Sequence, residues 1–279
     1  MINFNGTIVA DYATELTKNR GFLYGDAVFE TVKIINGKLL FIEDHYFRLM
    51  ASMRVVRMEI PMNFTLEFME EQILSVAASN RVSASARARI TVYRNGDGYY
   101  LPQTNEVSFL IHAVPLENTL YLIDNQRYEV DLYKDFFITK QLLSSIKTTN
   151  KIINVTASIF AKENDLDNCL LLNDSKNVVE AIQGNIFMLI GNKLTTPPIA
   201  DGCLNGVMRR QILALAKKIE NLEVVEEAIS PFDLQKADEL FITNVVKGIQ
   251  PITQYRKKQF STNMSEQLLA KLNEMIALA

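Results

Sequence analysis

The chain is short of the residues that most often announce a function. Cysteine occurs only as Cys169 and Cys203, with no CxxC pair. Two thiols do not make a disulfide framework, and such sparse use fits a reducing cytosol. Both read as buried structural thiols. Histidine is equally scarce, with only His45 and His112. Neither has a ligand-spaced neighbour, so no metal site is expected and both read as structural. Positive charge is not in excess: 29 Lys and Arg stand against 32 Asp and Glu, for a net charge of -3. Nucleic acids and anionic membranes are bound through basic faces, so neither partner is expected. No apolar run approaches the ~18 residues of a membrane span. The opening MINFNGTIVADYATEL lacks the basic start and apolar core of a secretory signal, and a cytoplasmic location is the expectation. The patterns GxGxxG, GxxxxGK[ST] and GxSxG are missing, which disfavours nucleotide-loop chemistry and a nucleophile elbow.

What is present suits a soluble globular protein. The 279 residues are 48% hydrophobic and 22% charged, enough for one large or two moderate domains. Val28 to Ile35 reads as a strand, Asn36-Gly37 as a hairpin turn and Lys38 to Ile42 as the returning strand. Helical spacing marks 43–58 and 65–80. Ala88, Ile90 and Val92 alternate with Arg87, Arg89, Thr91 and Tyr93, as in a strand with two different faces. A further strand ends at Pro115, and 116–125 reads as a linker between domains 1–115 and 126–279. Beyond it lie a strand in YEVDLYKDFFI, a turn carrying Lys147, and a helix built on Ile152, Ile153, Val155, Ile159 and Phe160. A short buried strand follows in DNCLLLND, then a hairpin from Val178 and a helix led by Gly206. The chain ends with a strand and loop in ADELFITNVVKGIQPI and a helix from about Met264 to Leu278.

A lysine in a turn, a carboxylate, an arginine and a glycine-led helix start together match the needs of one cofactor. Pyridoxal phosphate requires an amine for its aldehyde, a partner for its ring nitrogen and a site for its phosphate. A helix N-terminus offers amides to a dianion. Each feature alone also has an ordinary reading, because exposed lysine, acid and arginine are the norm.

The wording and order of the motifs go further. RGFLYGDAVFETVK, EDHYFRLMAS, IKTTN, LLLNDSKNVVEAIQGNIF, TTPPIADGCLNGVMRR and ADELFITNVVKGIQPI run in order from residue 20 to residue 252. In these the chain resembles the class IV aminotransferases, the fold-type IV pyridoxal phosphate enzymes. The resemblance implies an α/β (α+β) protein of two domains, the smaller N-terminal, with the cofactor between them. It implies a small amino substrate and a homodimer. Lys147 matches the lysine that carries the cofactor and moves a proton at the substrate Cα. Glu180 matches the carboxylate under the ring nitrogen. Arg48 matches the phosphate arginine, and Gly206, Val207 and Met208 match the helix start that holds the phosphate. Many members have Thr where Met208 stands, and a Ser/Thr pair near Asn244, where Thr243 offers a hydroxyl. A relative that keeps the fold without catalysis is the remaining alternative, and the joint presence of Lys147, Glu180 and Arg48 argues against it.

Three activities share this resemblance. The D-amino-acid enzymes carry an Arg-x-His pair that RNGDGYYLPQTN lacks. Branched-chain enzymes resemble FEG, Tyr-x-Arg-Pro and Ser-Gly-Thr where this chain has Phe29-Glu30-Thr31, Arg87-Ala88-Arg89-Ile90 and Thr243-Asn244-Val245. The 4-amino-4-deoxychorismate lyases look closer, with Thr at position 31, a basic residue at position 89 and Asn at position 244. Phe29, Thr31 and Arg89 are then substrate-facing, with Thr31 also a candidate catalytic hydroxyl. Branched-chain aminotransfer is the main rival. Tyr99, Tyr100 and Leu101, after a loose-looking Gly96-Asp97-Gly98 tip, are the expected segment reaching a second subunit.

Overall fold

A computed structural model describes residues 1–9, 18–124 and 126–278. Part of the N-terminal stretch (residues 10–16) and the last linker residue, Asn125, fall outside the described residues. By contacts the chain divides into two compact units. The first is Met1–Leu120 with Ile146–Asn150, and the second is Tyr121–Ser145 with Lys151–Ala279. The five residues that carry Lys147 therefore group with the N-terminal unit rather than with the chain on either side of them.

The first unit opens with β1 (Ile2–Phe4), β2 (Thr7–Val9) and α1 (Arg20–Tyr24). It continues with β3 (Ala27–Ile35), β4 (Lys38–Leu39), α2 (Ile42–Val55), α3 (Leu66–Ser79), β5 (Ser85–Arg94) and β6 (Val107–Pro115). The strands form one sheet in the order β2-β1-β6-β5-β3-β4. Alternation explains the core. Val28, Val32 and Ile34 of β3 and Ala88, Ile90 and Val92 of β5 turn to one face, where Leu49 and Met53 of α2 and Met69, Ile73 and Val76 of α3 cover them. Each Val, Leu, Ile or Met among them contributes about 1.5–3 kcal/mol by leaving water.

The sequence reading extended β4 to Ile42 and the next helix to residue 58. Here Phe41 takes a left-handed conformation (φ 55°), which ends the strand and lets α2 begin. A second left-handed residue, Arg57 (φ 59°), follows the end of the helix. The residues ahead of β3, Arg20–Tyr24, form a short helix. Phe22 N–H donates to its Asn19 cap at 3.0 Å, and Gly25 (φ 64°) closes it.

The second unit contains β7 (Glu129–Ile138), α4 (Leu142–Ser145), α5 (Ile152–Glu163), β8 (Asn168–Asn173), β9 (Val178–Ala181) and β10 (Gly184–Ile190). Then come β11 (Lys193–Thr196), α6 (Val207–Ala216), β12 (Glu223–Glu226), β13 (Glu239–Asn244), β14 (Gly248–Ile252), β15 (Gln254–Tyr255), β16 (Lys258–Gln259) and α7 (Asn263–Leu278). A mixed sheet runs β12-β11-β10-β9-β8-β7-β15-β16, with β13 joining β10 to β14. Leu170 and Leu172 of β8 enter one core, whereas Cys169 and Leu171 pack with Ala157 and Ala161 of α5 in another. A strand covered on both faces reads as a continuous apolar run, as DNCLLLND does. Tyr121, in the stretch read as linker, is anchored in this unit: it is buried and its hydroxyl donates to Val245 O at 2.6 Å. Among the described residues no helix is long and apolar enough to cross a membrane.

Candidate active site

In the N-terminal unit the segment around Lys147 is pinned by backbone bonds. Phe29 N–H donates to Lys147 O at 2.8 Å, and Thr149 N–H donates to Ala27 O at 3.0 Å, so the segment runs beside the start of β3. Asn150 Nδ2 donates to Gly25 O at 3.0 Å. A Cβ at Gly25 would stand 2.3 Å from Asn150 Oδ1, so both the left-handed turn and this close approach call for glycine. Lys147 is half-buried, with Nζ 4.4 Å from the centre of the Phe29 ring. The sequence left open whether this lysine is plain surface charge; its backbone is fixed and its amine lies against an aromatic face.

The face of β3 turned away from α2 and α3 carries Phe29, Thr31 and Lys33. The register places them opposite Thr91, Arg89 and Arg87 of β5, and Arg89 opposite His112 of β6. The Arg89 guanidinium lies 3.8 Å from the Phe29 ring centre, and its Nε donates to Thr91 Oγ1 at 3.1 Å. Burial, and then the charge of Arg87, push the Arg89 pKa down. Neither Arg87 nor Arg89 has an ion-pair partner among the described residues. A carboxylate brought to this face would therefore meet cations that no internal acid neutralises.

On the opposite face of β3, Glu30 is fully buried. Arg48 donates to it through Nε and Nη2, both at 2.6 Å, and His45 Nδ1 lies 2.7 Å from Oε2. Burial raises the Glu30 pKa, but the Arg48 charge and the His45 hydrogen bond outweigh it and hold the carboxyl at about 2. Burial also pushes His45 down, so its ring is neutral. His45 and Arg48 stand three apart on α2 and so share a helix face. Sequence reading singled out Arg48 but neither Glu30 nor the bond from His45. The available signal was a lone acid at an inward position of an apolar strand.

In the C-terminal unit Glu180 of β9, Asn185 of β10 and Thr243 of β13 pair in a row across the sheet and share a face. Glu180 is buried between apolar neighbours and accepts Leu204 N–H at 3.0 Å. Asn185 Nδ2 donates to Leu204 O at 2.8 Å, so the Leu204 peptide is held at both ends. That peptide leads to Gly206, the N-cap of α6. A Cβ at Gly206 would stand 2.0 Å from Asn185 Oδ1, so a larger residue would have to displace the Asn185 side chain from Leu204. No side chain caps α6. The amides of Val207 and Met208 lie in its first turn, beyond reach of any carbonyl within the helix. Met208 itself is buried, in place of the hydroxyl common in the resemblance. Thr243 Oγ1 is buried with no hydrogen-bond partner. Asn244 turns its Oδ1 to Val246 N–H (3.0 Å) and Lys247 N–H (2.9 Å), shaping the loop after β13. Asn185 was not foreseen; an Asn inside an apolar strand was the clue.

These donors fit pyridoxal phosphate. A buried carboxylate suits a protonated ring nitrogen, and an uncapped helix start with an orphaned hydroxyl in the same unit suits a dianion. Cys169 and Cys203 are both buried and free, and burial lifts each thiol to about 12.

The family model described as amino-transferase class IV matches residues 27–255. A putative branched-chain-amino-acid aminotransferase of Methanocaldococcus jannaschii is 30% identical over 98% of this chain and 94% of its own length. A D-alanine aminotransferase of Listeria monocytogenes is 26% identical over 97% and 92%. Among solved structures, a putative 4-amino-4-deoxychorismate lyase of Legionella pneumophila has a TM-score of 0.84 at 20% identity, covering 97% of each chain, which shows the shared fold. The expected α/β architecture is thus met. The chain belongs to the class IV amino-transferase family, whose members are pyridoxal-phosphate enzymes.

Proposed function

We propose that the protein is a 4-amino-4-deoxychorismate lyase, releasing pyruvate and 4-aminobenzoate. When bound, pyridoxal phosphate supplies an aldehyde that captures amines and a ring that draws electrons from the substrate Cα. Lys147 would hold the aldehyde and, as a free amine, would take the proton from the substrate Cα and pass it to the enolpyruvyl group that leaves the adjacent carbon as pyruvate while the ring becomes aromatic. Glu180 keeps the ring nitrogen protonated. Arg48, the amides of Val207 and Met208 at the helix start led by Gly206, and the hydroxyl of Thr243 hold the phosphate, with Asn244 shaping the loop beside Thr243. Phe29 lines the substrate's place, and the Thr31 hydroxyl bonds the substrate or relays a proton.

The observation that carries the choice of substrate is the second face of β3 and β5. Arg87 and Arg89 stand there by register with no ion-pair partner among the described residues. Such a face favours a substrate with two carboxylates and opposes a branched aliphatic side chain. The rival reading, branched-chain aminotransfer, draws support from the Methanocaldococcus relative, which bears that name. The test is a product assay on cofactor-loaded protein given 4-amino-4-deoxychorismate, with Lys147→Ala as the blank. Equal amounts of pyruvate and 4-aminobenzoate support the lyase. No product, together with transfer from leucine to 2-oxoglutarate, overturns it in favour of the rival.

The protein acts as a homodimer in the cytoplasm. Tyr99, Tyr100 and Leu101 are 85%, 90% and 85% exposed, too much apolar surface at one loop tip to suit a monomer. The tip is tied rather than loose: the buried Arg20 guanidinium donates to Gly98 O at 3.1 Å and to Tyr99 O at 2.8 Å. A monomer mass in solution with full activity would contradict the dimer.

A further inference from the structure

We propose that Glu30, braced by His45, is a positioning residue that holds the Arg48 guanidinium ready for the cofactor's phosphate. The proposal rests on the reading of Arg48 as a phosphate ligand. Glu30 is the one charge between Val28 and Val32 on the inward face of β3, and none of its side chain is exposed. A lone carboxylate in such surroundings is costly, so its retention needs partners and a reason. Its partners are arranged to fix a plane. One oxygen accepts Nε and the other Nη2 of Arg48, the two-point fork that sets both the position and the tilt of a guanidinium.

His45 braces the carboxylate from α2, three residues before Arg48. An ionised carboxylate only accepts, so the hydrogen shared with Glu30 belongs to His45 Nδ1. The neutral ring is left with a bare Nε2, which is buried without a hydrogen-bond partner. The charge of Lys147 is near enough to act on this ring. A triad that served packing alone would satisfy all its own atoms. This one keeps an unsatisfied acceptor within electrostatic reach of the lysine that carries the cofactor. An arginine held in advance loses less side-chain freedom when an anion arrives, and that saving appears as affinity.

The test compares pyridoxal 5'-phosphate with pyridoxal, which lacks the phosphate, as ligands of the full chain freed of cofactor. Both are titrated by absorbance, and thermal unfolding of the same samples is recorded. Glu30→Gln is expected to weaken pyridoxal phosphate about tenfold or more and to leave pyridoxal within about twofold. Arg48→Met is the reference and should erase the preference for the phosphate. A preference that survives Arg48→Met overturns the reading of Arg48 itself. A preference lost in Arg48→Met but intact in Glu30→Gln overturns only the positioning role, as does an equal loss of both ligands in Glu30→Gln. If Glu30→Gln does not fold, Glu30→Asp and His45→Gln are titrated in the same way. A reduced preference for the phosphate in either supports the role, and wild-type preference in both overturns it.

Discussion

In the N-terminal unit Arg48 and the neutral His45 both meet the buried Glu30 carboxylate, at 2.6 Å and 2.7 Å. In the C-terminal unit the polar groups beside Glu180 leave Thr243 Oγ1 without a partner and the start of α6 without a side-chain cap. The first arrangement fixes one cationic side chain, Arg48, before any ligand arrives. The second leaves neutral donors unspent, the ones proposed to meet the phosphate. Paired charges hold their shape until acid breaks them, whereas unspent donors cost the free protein some stability and return it on binding. The two regions should therefore respond differently to substitution, to pH and to cofactor.

The largest difference is expected at Glu180. Glu180→Gln should keep the cofactor but lower turnover by at least about 10²-fold, because a neutral amide does not hold the ring nitrogen protonated. Activity and bound cofactor measured on one sample check this, and loss of both together would make Glu180 a purely structural group.

Acid separates the regions next. The Glu30 carboxyl sits at about 2, below its ordinary 4.5, so it is the ionised form that stabilises the fold. That contribution, on the order of 3 kcal/mol, is present above pH 4.5 and is lost as pH falls toward 2. Urea unfolding across this window should show a steeper loss for the wild type than for Glu30→Gln. Parallel curves would mean that Glu30 is not held as described.

Thr243→Val probes the unspent donors. Removing an orphaned hydroxyl should leave the cofactor-free protein unchanged or about 1 kcal/mol more stable, while pyridoxal phosphate binds about tenfold more weakly. Lower stability with unchanged affinity would show that the hydroxyl serves the fold.

The smallest effect is expected at the thiols. With both held near 12, Cys169 and Cys203 should react with iodoacetamide at neutral pH only after unfolding. Fast labelling of the native protein would place one of them nearer solvent than it stands here.

Much of this was legible in the sequence, and unevenly so. Lys147, Glu180 and Gly206 stand out because local wording surrounds them: a Ser/Thr/Asn turn, an acid amid apolar residues, a glycine opening a helix. The strands β3, β5 and β8 follow from their alternation or continuous apolarity. The pairing of Glu30 was not legible, because it needs α2 laid across β3 so that residues 15 and 18 positions away meet one carboxylate. Asn185 escaped for the same reason, since its meaning comes from Leu204 and Gly206 reached through a loop. Phe41 shows the limit at element ends, where one left-handed residue that no composition signals replaces the rest of a strand with a helix.

The most direct test of the account is covalent trapping. Cofactor-loaded protein is reduced with borohydride, digested and read by mass spectrometry for the lysine that carries a pyridoxyl group. The account requires the label on Lys147, and on no lysine in Lys147→Ala. A label on another lysine of the wild type, or none, would contradict it.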